Sequence, residues 1–155
     1  MKNFFHFSAA LVILGLISCK SAPKFSDVSG KEWKLIEVQL SGKSIGFDRN
    51  TLNSEGFGDI FTLNFDAERI SGTGAPNKYS APYTVEKDLS LKVSPIAGTL
   101  MAPLRQPEKL KEHDFFTYLQ DAEKWNLVGG NLQLASKAED GSDVTLIFSL
   151  DTVKK

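Results

Sequence analysis

The chain has 155 residues but only one cysteine, Cys19, and two histidines, His6 and His113. A single cysteine cannot close a disulfide within the chain, so burial of apolar side chains must stabilise the fold. The two histidines lie far apart in sequence, whereas zinc sites usually draw several ligands from histidine and cysteine clusters. We therefore predict a disulfide-free fold that holds no metal and no cofactor.

Neither sign of charge dominates the chain. Its 18 basic and 19 acidic residues give a formal net charge of -1. Proteins that bind nucleic acid or an anionic bilayer surface usually carry a basic patch or stripe. We therefore expect no nucleic-acid partner, and we also expect the folded part to be a monomer.

Long apolar runs are absent apart from one at the N terminus. Lys2 precedes an apolar run over residues 9–17, and the small residue Ser18 stands before Cys19. This layout is typical of a secretory signal, and the run is shorter than the roughly 20 apolar residues that span a bilayer. We expect residues 1–18 to be cleaved off, which would leave His113 as the only histidine.

The end of this signal resembles the bacterial lipobox. Leu16 lies three residues before Cys19, although Ile17 stands where a small residue is more usual. The resemblance implies cleavage before Cys19 and acylation of that residue, and two or more acyl chains hold a protein stably on a membrane. We therefore expect a lipid-anchored protein of the cell envelope, at the outer membrane, on its periplasmic face or at the surface. The alternative is an ordinary signal peptide with an incidental cysteine.

The segment that follows differs in composition from the rest of the chain. Residues 19–29 are polar, contain Pro23 and show no periodicity. Such a composition is typical of a flexible tether. Residues 30–153 then suffice for one domain of ordinary size.

Alternation of apolar and polar residues predicts a strand-rich domain. The alternation changes phase near Ile36, as a β-bulge would produce, and Gly129-Gly130 supplies the turn of a hairpin. The stretch 41–58 is rich in Gly, Ser and Asn, which predicts a long connection. The predicted strands cover residues 31–40, 61–66, 69–71, 82–86, 89–93, 126–128, 131–134 and 144–150.

One helix is predicted late in the chain. Pro107 precedes residues 109–125, in which Phe115, Leu119 and Ala122 recur at helical spacing. Many antiparallel strands with one inserted helix indicate an α+β domain. We predict a strongly curved, half-barrel-like antiparallel sheet of about seven to eight strands packed around one main helix.

Several segments resemble the META domain of bacterial heat-inducible (HslJ-like) lipoproteins: ISGTGAPNKYSAPYTV, IAGTLMA, FFTYLQDAEKWNLVGGNLQLAS and VTLIFSL. Many members of that family carry a cysteine pair at positions that hold Pro76 and Pro103 here, so a redox role is not expected. The resemblance implies no established catalytic activity and a link to stress and envelope integrity. Its most specific positions are Gly72, Gly74, Asn77, Tyr79, Thr99, Met101 and Ala102.

The resemblance favours a stress-related binding or assembly module for an envelope protein that the sequence does not identify. We expect Gly72 and Gly74 to let the backbone turn. Asn77 and Tyr79 have two interpretations: Asn77 bonds loop backbone and Tyr79 caps the core, or both contact a partner.

Residues that could perform catalysis are scarce. His113 lies near Glu112 and Asp114, where it is either a general base or a solvated residue on the helix. The acidic segment AEDGSD lacks the ligand spacing of a calcium loop and predicts a hairpin turn. We expect a protein that is not an enzyme.

The aromatic residues allow a second hypothesis. They either fill the core or line an apolar groove between sheet and helix, and a groove would make the protein a carrier or sensor of a small apolar ligand. The rings that could line it are Phe61, Phe65, Phe115, Phe116 and Trp125.

Overall fold

The computed structural model describes residues 22–102 and 107–150, so the predicted signal, Cys19 and Pro103 lie outside the described residues. The described chain contains a short 3-10 helix at Phe25–Asp27 and two α-helices, α1 (Arg49–Ser54) and α2 (Glu112–Gln120). Within these ranges neither helix is long and apolar enough to cross a membrane. The strands are β1 (Glu32–Leu40), β2 (Lys43–Gly46), β3 (Thr62–Phe65), β4 (Arg69–Thr73), β5 (Lys78–Val85), β6 (Leu91–Val93), β7 (Ala97–Gly98), β8 (Lys124–Val128), β9 (Asn131–Lys137) and β10 (Asp143–Leu150).

Eight of the strands form a nearly closed, antiparallel half-barrel. Their order is β6-β5-β4-β3-β1-β10-β9-β8, with β2 added to β1 and β7 added to β5. The two ends of this path meet, because Leu91 N donates to Glu123 O at 2.8 Å and Trp125 N donates to Leu89 O at 3.0 Å. The predicted α+β fold, a strongly curved sheet around one main helix, is confirmed.

The β-bulge predicted in β1 is also present. The pairing of β1 with β10 shifts register between Leu35 and Glu37. A bulge adds one residue to one strand, so side chains beyond it change faces. Trp33, Leu35 and Val38 are therefore all buried on the core side.

The aromatic rings gather in two groups at opposite ends of the barrel. We call the first, at the end where the described chain begins, the N-terminal ring cluster: Phe25, Phe65, Tyr83 and Trp125. The second, beside α2, is the helix ring cluster: Phe47, Phe61, Tyr79, Phe115, Phe116 and Phe148.

The predicted helix is present, but it is shorter than predicted. Residues 109–125 were predicted to be helical, but α2 begins at Glu112 and ends at Gln120. The backbone after α2 bonds to the sheet, since Glu123 N donates to Ala135 O at 2.8 Å. Trp125 consequently lies in β8, where it pairs with Leu134.

The predicted connection over residues 41–58 contains a strand and a helix that its composition did not indicate. It folds into β2, which pairs with the end of β1 as an antiparallel hairpin, and into α1. Asp48 starts α1, because its side chain accepts a hydrogen bond from Thr51 N at 2.9 Å.

The packed chain begins before Gly30, where the domain was predicted to start. Val28 is fully buried, and its carbonyl oxygen accepts a hydrogen bond from Trp33 Nε1 at 2.9 Å. The Phe25 ring lies 5.2 Å from Phe65 and 5.1 Å from Trp125. The segment 25–28 is therefore part of the core rather than of a tether.

We expect Val28→Ala to lower the free energy of unfolding by about 2 kcal/mol, because it removes fully buried apolar atoms and leaves a cavity. Val128→Ala removes the same atoms from a side chain that is 47% exposed, so its effect should stay within about 0.5 kcal/mol. Urea unfolding of both variants measures the difference. Equal effects would contradict the inclusion of residues 25–28 in the cooperative fold.

Candidate functional site

The side chain of Asn77 forms hydrogen bonds that hold the chain immediately after β7. Its side chain is 6% exposed. Oδ1 accepts hydrogen bonds from Met101 N at 2.7 Å and from Thr99 Oγ1 at 2.8 Å, while Nδ2 donates to Met101 O at 3.2 Å. One buried amide thus holds the backbone of residues 99–101, which we call the display loop.

Glu112, the first residue of α2, holds Asn77 from the other side. Its Oε1 accepts from the backbone N–H groups of Ala75 and of Asn77, the latter at 2.6 Å, and its Oε2 accepts from Asn77 Nδ2 at 2.7 Å. A carboxylate at a helix N terminus is also stabilised by the helix dipole. The start of α2, the β4–β5 connection and the display loop therefore form one hydrogen-bonded unit.

The two motif glycines allow close approach of neighbouring groups, and Gly74 also begins the turn between β4 and β5, where its N–H donates to Asn77 O at 2.7 Å. A Cβ at Gly74 would lie 2.6 Å from Glu112 Oε1 and 2.7 Å from Phe116 Cζ. A Cβ at Gly72, within β4, would overlap the carbonyl oxygen of Thr62 and lie 2.9 Å from Tyr79 Cε1. The predicted turn is therefore present at Gly74 and absent at Gly72, which lies within β4. At both positions glycine is required because a side chain would have no space.

Tyr79 joins this unit to the core. Its hydroxyl donates to Thr62 O at 2.7 Å, and its ring contacts Phe115 and Phe116. Burial raises the pKa of Tyr79 well above 10. The hydroxyl therefore stays protonated at physiological pH and serves as a hydrogen-bond donor.

The display loop presents apolar side chains to solvent. Leu100 is fully exposed and Met101 is 56% exposed. A groove of about 430 Å³ separates the loop from α2. Its lining combines Ile96, Leu100 and Phe116 with Asn77, Gly98, Thr99, Glu112, His113, Thr117 and Gln120.

Comparison with known proteins identifies the family. The model of the META domain matches residues 26–149. The chain belongs to the META domain family. No curated protein matches it.

Two solved structures share the fold of this META domain. A protein from Burkholderia xenovorans, determined by NMR, superposes with a TM-score of 0.60 at 17% identity and covers 98% of this chain and 99% of its own. A crystal structure of a DUF4847-family protein from Bacteroides vulgatus superposes with a TM-score of 0.52 at 15% identity, over 81% of this chain and 95% of its own. At such identities the likeness is one of fold.

The five rings predicted as a possible groove do not lie together in this META domain. Phe65 and Trp125 belong to the N-terminal ring cluster, whereas Phe61, Phe115 and Phe116 belong to the helix ring cluster. All except Phe116 are buried. Phe116 alone of the five lines the groove beside α2.

His113 lies at the surface of α2. Its Nε2 is 3.5 Å from Glu139 Oε1, and both side chains are 78% exposed. Among residues 22–102 and 107–150, no three His, Cys, Asp or Glu side chains converge as metal ligands. The AEDGSD segment forms the predicted β9–β10 turn, with Ser142 N donating to Asp140 Oδ1 at 2.9 Å.

Two important residues of the site were not singled out from the sequence. Glu112 was named only as a neighbour of His113, and Leu100 received no role. The available signals were an acidic residue in the first turn of a helix and a lone apolar pair between a glycine and a proline. Both signals are weak, because each is also common in segments that form no functional site.

We expect Gly74→Ala to destabilise the fold by about 1–3 kcal/mol, because the added methyl group would displace Glu112 and Phe116. Gly46→Ala is the matched control, since a Cβ there meets nothing within 4 Å. It should leave stability unchanged or raise it by about 0.4–1 kcal/mol. Thermal unfolding of the two variants measures the difference in stability. A Gly74→Ala protein as stable as the wild type would contradict the packing described around Gly74.

Proposed function

We propose that this protein is a lipid-anchored, non-enzymatic binding module of the cell envelope, whose META domain contacts its partner through the display loop. The observation that carries the proposal is the full exposure of Leu100 on a loop held by buried Asn77. We further propose a role in assembly or integrity of the envelope under stress, as the family resemblance implies.

A fixed, exposed leucine favours binding for energetic reasons. A fully exposed apolar side chain contributes no burial energy to the free protein, while burial of a leucine against a partner contributes about 1.5–3 kcal/mol. The hydrogen bonds that Asn77 Oδ1 accepts from Met101 N and Thr99 Oγ1, and the one that Asn77 Nδ2 donates to Met101 O, order the loop in advance. Ordering in advance lowers the entropy cost of association.

The polar groups of the site favour a structural role over catalysis. Both carboxylate oxygens of Glu112 accept hydrogen bonds from the chain itself, and the Tyr79 hydroxyl is bonded to Thr62 O. A general acid or base needs a free position for its substrate and a pKa near the working pH. Within the described residues, these groups instead hold the shape of the loop.

The carrier hypothesis receives less support. Phe61, Phe65, Phe115 and Trp125 are at most 3% exposed, and they contribute to the packed core. An apolar ligand bound among these four rings would have to displace side chains that a disulfide-free fold uses for its stability.

The anchor is tested by substitution of Cys19. We expect the wild-type protein to sediment with membranes and to carry an acylated N-terminal Cys19 in mass spectrometry. Cys19→Ser removes the thiol that accepts the lipid, so this variant should lose its stable membrane association. An unmodified Cys19 in a membrane-free fraction would contradict the anchor.

The binding role is tested by site-specific photocrosslinking in intact cells. A photoreactive residue at position 100 should give adducts, because Leu100 would be buried in the partner. Position 128 is the matched control, since Val128 is also an exposed apolar residue but lies on the β8–β9 hairpin.

Asn77→Ala should weaken the position-100 adducts, because it releases Met101 N and Thr99 Oγ1 from their acceptor. Circular dichroism of Asn77→Ala checks that the barrel remains folded. Equal crosslinking from positions 100 and 128 would contradict the proposed contact surface.

A further inference from the structure

The outer edge of β7 directs backbone groups away from the sheet. β7 is antiparallel to β5, with Gly98 opposite Tyr79, and Thr99 N donates to Lys78 O at 3.0 Å. Hydrogen-bonded and non-hydrogen-bonded pairs alternate along an antiparallel ladder. Gly98 therefore forms a non-hydrogen-bonded pair with Tyr79, and its N–H and C=O point away from β5.

This outer edge faces the groove beside α2. Gly98 lines the groove, and Ile96 N, two residues earlier, donates to Gln120 Oε1 at 3.2 Å. Gln120 thus satisfies one donor of the edge, whereas no described side chain bonds to Gly98 N or O. Extended peptides bind other proteins by adding a strand to an exposed sheet edge of this kind.

The groove also contains a gap that suits one apolar side chain. Ile96 and Leu100 line the groove on either side of Gly98, which has no side chain. A Cβ at Gly98 would lie 3.7 Å from Phe116 Cε2, so the Phe116 ring forms the base of the gap. An apolar side chain placed there would contact Phe116 and cover part of the exposed Leu100.

An acidic pocket adjoins the groove across α2. Thr117 lines both, and the pocket of about 280 Å³ is also lined by Asp114, Glu139 and Asp140. Burial raises the pKa of Tyr118, which lines this pocket, and the charges of Asp114, Asp140 and Glu139 raise it further. None of the described residues that line the pocket is Lys or Arg. The complementary occupant is a cationic side chain, because charge complementarity determines which partners are accepted.

The groove has the length of a short extended segment. Its residues on α2 extend from Glu112 to Gln120, which at 1.5 Å per residue is about 12 Å. About four residues of extended chain cover that length at roughly 3.3 Å each. An extended segment offers N–H and C=O groups to Gly98, whereas the backbone groups of an α-helix are already paired with one another.

We propose that the groove binds an extended peptide segment of the partner protein, with its backbone paired to Gly98, an apolar side chain over Phe116, and a lysine or arginine one or two residues away in the acidic pocket. This inference rests on the proposed function, since it names the chemistry of the partner that the display loop contacts. An acyl lipid or a small apolar molecule would leave the Gly98 edge and the acidic pocket unused.

The test compares the wild type with Gly98→Val, which fills the gap. A Cβ at Gly98 would lie at ordinary contact distance, 3.4 Å from Lys78 O and 3.7 Å from Phe116 Cε2, so the variant should fold. Gly46→Val is the matched control, because Gly46 also lies in a strand, lacks a positive φ, and a Cβ there meets nothing within 4 Å. Thermal unfolding and circular dichroism check all three proteins.

Random octapeptides displayed on phage are selected in parallel on these three full-length proteins. We expect peptides with an apolar residue next to Lys or Arg to be enriched on the wild type and on Gly46→Val. A synthetic copy of an enriched peptide should bind Gly98→Val at least about tenfold more weakly in fluorescence anisotropy, because the valine occupies the place of its apolar side chain. It should also slow hydrogen–deuterium exchange of residues 96–100 in the wild type.

The role of charge has its own variant, which does not depend on how Gly98→Val folds. Asp114→Asn combined with Glu139→Gln should abolish the preference for the basic peptide over its Lys-to-Ala copy. Glu55→Gln combined with Asp59→Asn makes the same change in charge at and after α1, and should leave the preference intact. Enrichment of acidic peptides, equal binding to Gly98→Val, or no enrichment above that variant would each overturn the inference.

The crosslinks at position 100 in cells separate this inference from the proposed function. Adducts that disappear from Gly98→Val but persist in Gly46→Val support a peptide bound at the β7 edge. Adducts of equal strength in both variants would overturn this inference and leave the display loop as a contact surface. A wild-type protein that crosslinks no better from position 100 than from position 128 would overturn the proposed function, and this inference with it.

Discussion

The carboxylate of Glu112 joins parts of the chain that are distant in sequence, and the arrangement of the site depends on it. It accepts from the backbone between β4 and β5 and from the Asn77 amide, which in turn holds the display loop. Hydrogen bonds to a charged acceptor are roughly twice as strong as neutral ones. A partly buried carboxylate that lost these donors would be costly, so the start of α2 and the loop keep one arrangement.

The strands could be predicted from the sequence because buried and less buried side chains alternate along them with the two-residue period of a strand. In β9, Leu132 and Leu134 are buried and alternate with the less buried Asn131 and Gln133. The pattern fails where tertiary hydrogen bonds decide the structure. The helical spacing of Ala122 continued past Gln120, but Glu123 and Trp125 complete the edge between β6 and β8. Local propensity contains no information about that pairing.

The site could be predicted in part for a similar reason. Asn77, Tyr79, Thr99 and Met101 were found through the family resemblance, and the structure brings Asn77, Thr99 and Met101 into direct contact. Glu112 acts through a contact across more than thirty residues, which no local pattern reveals. The exposure of Leu100 likewise depends on how the loop is held, and composition alone does not distinguish a displayed leucine from a core one.

The sheet makes the two ends of the barrel one rigid unit. β5 links the two ends directly, since Tyr83 contacts Phe25 while Lys78 bonds to Thr99. Ring clusters fill both ends of the barrel, and close packing transmits displacement rather than absorbing it. The position of the display loop relative to the first packed residues is therefore fixed by the sheet. A partner that bound the display loop as proposed would therefore lose little entropy in ordering it, because the contact surface is already formed.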